Sequence, residues 1–244
     1  VVVSQSDDAS EDLRVGAAAG ARVLVTGPTG LPAARNTGLA ATCSPIVVFL
    51  DDDVRLGAGA IEALVAPFAA PDVGATVARI VEDLPRNAPP GTNGVGADGR
   101  VRVNLLADHD AFVHSVKGAA FAARRAAIAQ VGTFDARIAG TFFLEETDLS
   151  ERLRRAGWRI RLCADAHVRH LLAPAGGCRS DRISGDVSRF FATGRFVRSH
   201  RSRRTVPPVF GAFAAIAALR GATHRDPRVT VTLVAALLRG LGNG

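Results

Sequence analysis

Short runs of β-branched and apolar residues alternate along the chain with alanine-rich stretches of helical period. That is the pattern of strands joined by crossover helices in a mostly parallel sheet. Val1–Val3, Arg22–Val25 and Ile46–Leu50 read as strands, and Ala33–Ala41, entered through Gly30-Leu31-Pro32, reads as the helix before the third of them. Ile61–Phe68 places Ile61, Leu64, Val65 and Phe68 on one helical face, and Val73–Val81 is a further strand. Pro85–Gly99 is rich in Pro, Gly and Asn and reads as a loop. The apolar pattern returns in Val101–Leu106 and Val113–Ala123, the second carrying Lys117 and Gly118 toward a site. Ala126–Val131 is a short helix ended by Gly132. After Thr141–Leu144 a helix opens on Glu145-Glu146-Thr147-Asp148 and runs through Arg155, burying Leu149 and Leu153; Trp158–Leu162 then alternates like a half-buried strand. Val206–Leu219, broken by Pro207 and Pro208, and Val229–Leu241 read first as packed surface helices, with helices lying on a membrane as the alternative. No apolar run reaches the ~20 residues of a membrane-spanning helix.

With 244 residues, 48% of them hydrophobic, the chain can bury one large α/β core or a core plus an appendage. The formal charge of +7 would suit a polyanionic partner. The basic residues, however, are almost all arginine, with Lys117 the only lysine, and are scattered through an Ala, Gly and Val background, so no nucleic-acid partner is expected. Arg195–Arg204 is the local exception and reads as a solvated face, with acidic phospholipid or a phosphorylated acceptor as the alternative. Cys43, Cys163 and Cys178 have no metal-type spacing and are odd in number, so a disulfide framework is not expected and a reduced, cytoplasmic setting is. No signal peptide is visible, and the chain starts without Met, so the start of the natural protein is expected to be missing.

Chemistry concentrates in two acidic clusters. Asp51, Asp52 and Asp53 stand directly behind Ile46–Leu50, and a strand that ends in acid delivers fixed oxygen ligands to a sheet edge, where a hard cation and the phosphates it carries can bind. Glu145, Glu146 and Asp148 open a later helix. Group transfer from a nucleotide donor needs both parts: a cation to neutralise a leaving diphosphate, and a separate carboxylate to take the acceptor proton.

Five ordered motifs make a resemblance specific. Ala34-Arg35-Asn36-Thr37-Gly38-Leu39, Phe49-Leu50-Asp51-Asp52-Asp53, Gly132-Thr133-Phe134-Asp135, Glu145-Glu146-Thr147-Asp148-Leu149-Ser150-Glu151-Arg152-Leu153 and Ala166-His167-Val168-Arg169-His170 resemble, in that order, the motifs of family 2 glycosyltransferases. The resemblance covers Val1 to His170. It implies a GT-A fold, a Rossmann-like nucleotide-sugar half fused to an acceptor half around one continuous, mostly parallel mixed sheet flanked by helices. Residues 1–175 would form that domain, lacking the family's first strand; residues 176–244, beyond the resemblance, are expected to form a C-terminal helical extension, with peripheral membrane contact as the alternative to packed surface helices.

The resemblance also assigns roles. Asp51 lies toward the ribose and metal, Asp53 binds Mg²⁺ or Mn²⁺ through the donor diphosphate, and Asp52 takes a smaller part at the donor, with acids solvated in a turn as the plain alternative. Asp7, in a stretch like the family's DDGSxD loop, meets the donor base, or else belongs to an acidic surface turn. Arg35 and Asn36 sit near the phosphates, although Arg35 could instead pair with Asp51 or Asp53. Glu146 occupies the place of the catalytic base, normally Asp, and Glu145 the position before it; the longer side chain leaves open which of the two reaches the acceptor. Asp148 reads as structural. His170 completes the metal shell, His167 does not, and Arg179, in the loop Gly176–Arg179, contacts the diphosphate. The QxxRW signature of processive synthases is absent. The expected activity is thus a metal-dependent, inverting, non-processive transfer from a nucleotide-diphosphosugar to a carbohydrate, lipid-linked or peptide acceptor, in cell-envelope polysaccharide work in the cytoplasm, with the cytoplasmic face of the membrane as the alternative setting. The alternatives are a truncated or degenerate sugar-nucleotide-binding module without catalysis and, less favoured, a sugar nucleotidyltransferase.

Overall fold

A computed structural model describes residues 1–83, 88–138, 143–172 and 181–242. Strand β1 (Val2–Ser4) leads through helix α1 (Ser10–Ala18) to β2 (Val23–Val25), its parallel partner. Helix α2 (Leu31–Ala40) then precedes β3 (Ile46–Leu50) and β4 (Val54–Leu56). Helix α3 (Ala60–Val65), prolonged by a 3₁₀ turn at Ala66–Ala69, leads to β5 (Val73–Val81). A hairpin of β6 (Thr92–Val95) and β7 (Val101–Asn104) follows, then β8 (Ala111–Val113), β9 (Ala120–Arg124) and α4 (Arg125–Val131). Helix α5 (Glu145–Arg155) feeds the long strand β10 (Arg159–His170), and α6 (Arg182–His200), α7 (Val206–His224) and α8 (Pro227–Gly242) end the chain.

The central sheet is mixed, in the order β3-β9-β5-β10-β4, with β8 also on β10. Strand β9 is antiparallel to both β3 and β5, and β10 is parallel to β5, so β3, β5 and β10 all point the same way. Their carboxyl ends therefore emerge at one edge. Because β9 and β4 run the other way, the residues that precede them come to that same edge: Leu50 faces Ala120, and His170 faces Val54. Asp51, Asp53, Glu82, Lys117 and His170 are thus gathered by strand direction alone. Among the described residues β1 and β2 form a ladder of their own, which corrects the expectation of one continuous sheet.

Phe49 of β3 stacks on Phe121 of β9 at 4.7 Å, and Phe134 meets both edge-on, closing the core under the site. Burying an aromatic ring of this kind stabilises by roughly 1.5–3 kcal/mol. A second apolar cluster, with Phe190, Phe213, Leu233 and Leu237, is built by α6, α7 and α8 among themselves.

Among the described residues, several departures from the sequence pattern have a clear physical reason. Strand β10 runs on to His170 instead of ending at Leu162, because a bulge between Cys163 and His167 breaks the alternation before pairing with β5 resumes. Thr92–Val95 is a strand within the expected loop; its anchor is polar, Asn93 donating to the carbonyls of Ser115 and Val116. Helix α6 was not among the expected elements; Val187, Phe190 and Val197 set its inner face, and it opens on Asp181, whose carboxylate accepts from the backbone N–H groups of Ile183 and Ser184. Finally, Pro207 and Pro208 open α7 rather than break it, since a first helical turn has no N–H bonds to lose, and Arg220 is absorbed by Asp186 at 2.9 Å.

Candidate active site at the carboxyl edge of the sheet

Oxygen atoms of Asp51 and Asp53 and a ring nitrogen of His170 all lie within 4.8 Å of one another. Asp51 leaves β3, while Asp53 precedes β4 and is tied to β10 by the bond from the Leu171 N–H to its carbonyl, 2.8 Å. Two hard carboxylates and an imidazole make a donor set that fits Mg²⁺ or Mn²⁺. Asp52 occupies the turn between the strands and is exposed. His170 is held from both sides: Nε2 lies 3.1 Å from Asp53 Oδ1 and Nδ1 lies 3.1 Å from Glu82 Oε2. The Glu82 hydrogen bond, with the Asp53 charge adding to it, holds the imidazole above its usual range despite burial.

Glu82 was not singled out by sequence. It follows the apolar strand β5 as Asp51 follows β3, so the same signal was present. Its second oxygen takes the Lys117 ammonium at 2.5 Å. Burial alone would raise the Glu82 carboxyl, but the hydrogen bonds from His170 and Lys117 outweigh it and hold the group low. The chain's only lysine is therefore a fixed positive charge inside this cluster.

Arg35, on α2, reaches the same edge from beneath. Its guanidinium binds Asp51 Oδ1 at 3.0 Å, the Gly118 carbonyl at 3.0 Å, and Glu145. Its central carbon lies 5.5 and 5.7 Å from the centroids of the Phe121 and Phe134 rings. A Cβ at residue 118 would come within 2.8 Å of Arg35 Nη2, so glycine is needed for this approach. Arg35 thus pairs with Asp51, as one of the two expectations had it, and with Glu145. Asn36 faces away from the acids: its amide donates to the Phe134 carbonyl at 2.8 Å and accepts from the Phe134 N–H at 3.0 Å, locking the Gly132–Asp135 turn onto α2.

The two glutamates separate. Glu145 is 1% exposed and is the buried partner of Arg35. Glu146 is half-buried, on the first turn of α5. That turn is docked on the segment before β9 by Ser150, whose hydroxyl donates to the Glu146 carbonyl at 2.7 Å and accepts from the Val116 N–H at 3.1 Å. Burial pushes the Glu146 carboxyl up; Arg35 and Lys117 oppose the shift and the Asp51 charge adds to it. Asp148 points elsewhere, to His200 Nε2 at 2.6 Å and Arg152 at 2.9 Å. Asp7 lies exposed in the loop between β1 and α1, where Asp8 receives the Ser10 N–H. Arg179 and the loop Gly176–Arg179 fall outside the described residues.

The model of the glycosyltransferase-like family 2 matches residues 1–180. Pre-mycofactocin glycosyltransferase of Mycobacterium tuberculosis (strain CDC 1551 / Oshkosh) is 38% identical over 148 residues, 58% of this chain and 30% of that protein. The chain therefore matches about 30% of the length of this curated relative. Among solved structures, GalNAc-T7 with UDP, GalNAc and Mn²⁺ has a TM-score of 0.61 at 16% identity, over 80% of this chain and 40% of its own. The mannosyltransferase PcManGT from Pyrobaculum calidifontis, with GDP-Man and Mn²⁺, has a TM-score of 0.54 at 17% identity, over 99% of this chain and 77% of its own. At such identities the likeness is one of fold, and the fold is GT-A.

Proposed function

The chain belongs to the glycosyltransferase-like family 2, and from that membership and the clustered edge we propose that it transfers a sugar, with inversion, from a nucleotide-diphosphosugar to an acceptor hydroxyl. The observation that carries the reading is a three-donor cation site at the sheet edge joined through Arg35, which pairs with both Asp51 and Glu145, to the helix turn that carries Glu146. Both solved neighbours hold Mn²⁺, one with UDP and the other with GDP-Man.

Asp51, Asp53 and His170 would hold Mg²⁺ or Mn²⁺, which when bound neutralises charge on the donor diphosphate. Glu146 takes the acceptor proton as the acceptor oxygen attacks the anomeric carbon from the face opposite the diphosphate. One carbon–oxygen bond forms, the bond to the diphosphate breaks, and the electron pair leaves with the nucleoside diphosphate. A carboxyl with a raised pKa is a stronger base than an ordinary glutamate once ionised, which suits this step. Glu145 keeps Arg35 in place, and Arg35 in turn fixes Asp51. With no processive signature, each encounter transfers a single sugar, and the setting is the cytoplasm. Asp53→Ala should abolish metal-dependent hydrolysis of the reactive member of a nucleotide-sugar panel while circular dichroism stays unchanged. Undiminished turnover by this variant would remove the cation role.

A further inference from the structure

The chain's positive charge is not evenly spread. Residues 181–242 carry eleven arginines against three aspartates, while the first 180 residues hold nineteen basic and twenty acidic side chains. The whole excess therefore resides in the three-helix unit α6–α8.

That unit also has an apolar face with no cover among the described residues. On α7 the buried Val209, Phe213, Ala217 and Gly221 recur every four residues and pack inward. The opposite side shows Pro207, Gly211, Ala215, Ala218, Leu219 and Ala222, all exposed. At about 100° per residue these six fall within roughly one third of the helix circumference. The only charged side chain between Thr205 and His224 is Arg220, and it is turned to Asp186. Only 22% of the apolar window within Arg203–His224 is buried, and Leu219 is 68% exposed. A helix that is apolar all round belongs in a core or in lipid, and here one side has the core. Exposed Arg203 and Arg204 flank the stripe at one end, and exposed Arg225 and Arg228 at the other. An apolar stripe bounded by arginines is the form of a helix lying in the plane of an anionic bilayer surface.

We propose that the α6–α8 unit docks on anionic phospholipid through the outer stripe of α7, with the flanking arginines at headgroup level. The unit cannot move independently of the candidate site. Helix α6 is fastened to α5 by His200–Asp148 at 2.6 Å, by Arg201–Glu151 at 2.9 Å, and by Arg155, which donates to the His200 carbonyl at 2.5 Å. A docked molecule therefore holds α5, with Glu146 on its first turn, at a set orientation to the bilayer. Lipid binding itself does not depend on the transferase reading, and each can fail without the other.

The test is co-sedimentation of the full chain with vesicles of phosphatidylcholine alone and of phosphatidylcholine mixed with phosphatidylglycerol, at low and high salt. The expected result is binding to the anionic vesicles, weakened by salt. Ala215→Asp with Leu219→Asp should lower that binding by about tenfold or more, and Arg203→Ser with Arg204→Ser by about fivefold or more. Leu219→Trp should strengthen it, and because this side chain is exposed its replacement leaves the fold intact. Three results would overturn the proposal: no binding to anionic vesicles by the folded protein; arginine-dependent binding that ignores both Leu219 variants and is matched by RNA, the mark of a plain polyanion site; or a wild-type dimer in gel filtration that the double aspartate variant makes monomeric, the mark of a second copy on the stripe.

Discussion

Glu145 and Glu146 are adjacent in sequence, and replacing each by glutamine should give opposite results. Glu145→Gln removes the charge that faces Arg35, where the side chains are 1% and 7% exposed. Breaking a buried pair by deleting one partner costs about 3–5 kcal/mol. Arg35 keeps Asp51 and the Gly118 carbonyl, each at 3.0 Å, so the lower end, ~3 kcal/mol, is expected. For a chain of this size that is a fall in Tm of roughly 6–12 °C. Glu146→Gln removes a carboxyl whose charged form is penalised by burial, so stability at neutral pH should hold or rise slightly, while sugar transfer should fall by about 10²- to 10⁴-fold. The pH dependence has a definite sign. The folded pKa of Glu146 lies above 4.5, so the native state binds the extra proton, and stability declines as pH rises from 4.5 through the raised value. Glu146→Gln should flatten that decline, and the acid limb of kcat/KM in the parent should lie above the range of an ordinary glutamate. Thermal melts across pH and single-turnover transfer assays measure both. Equal melting of Glu145→Gln and parent, or full turnover by Glu146→Gln, would refute the division of labour.

Glu82→Gln should weaken Mn²⁺ binding, read by calorimetry, by about 10- to 100-fold, because Glu82 orients His170, whereas a purely structural Glu82 would shift the melt and leave the metal affinity alone. Gly118→Ala should cost about 1–3 kcal/mol in urea unfolding as Arg35 is pushed off Asp51. Asp135→Asn tests the contact with Arg137 and Arg195: although burial alone would raise this carboxyl, the hydrogen bond from Arg137 and the Arg195 charge hold it at about 2, against 3.8 unfolded. The parent should exceed the variant by about 2 kcal/mol at neutral pH, and the gap should close as pH falls from 3.8 through about 2.

What could be read from residues was what local pattern encodes. Ile46–Leu50 and Val73–Val81 have the boundaries that their apolar runs indicate. Asp51, Asp53 and His170 do meet, but they were found through motifs and not through the sheet that joins them. Helix α6 went unread although Phe190 and Val197 pack into the apolar cluster with α7 and α8, because its contacts toward the first domain are polar and look like surface charge. Arg195, His200 and Arg201 look like a solvated basic run in one dimension, and each closes on an acid, Asp135, Asp148 or Glu151. The strand at Thr92–Val95 is hidden for the same reason, since Asn93 rather than an alternating apolar face holds it.

Glu82 shows why a legible signal can still go unread. An acid behind an apolar strand is informative only if that strand ends where the other acids are, and this depends on strand direction. Here β9 lies antiparallel between β3 and β5, which restores them to a common direction, and β10 is parallel to β5. The rule applied to Asp51 then applies to Glu82 without change, and its partner Lys117 follows because β9 begins where β3 ends. Lysine also fits that position better than the arginine used everywhere else in the chain. A compact ammonium meets Glu82 as a point charge, whereas a guanidinium fork would seek further acceptors among the carboxylates of the cluster. Lys117→Arg should therefore keep the fold, draw these carboxylates together and lower Mn²⁺ affinity in calorimetry; unchanged affinity would show that charge alone matters at this position.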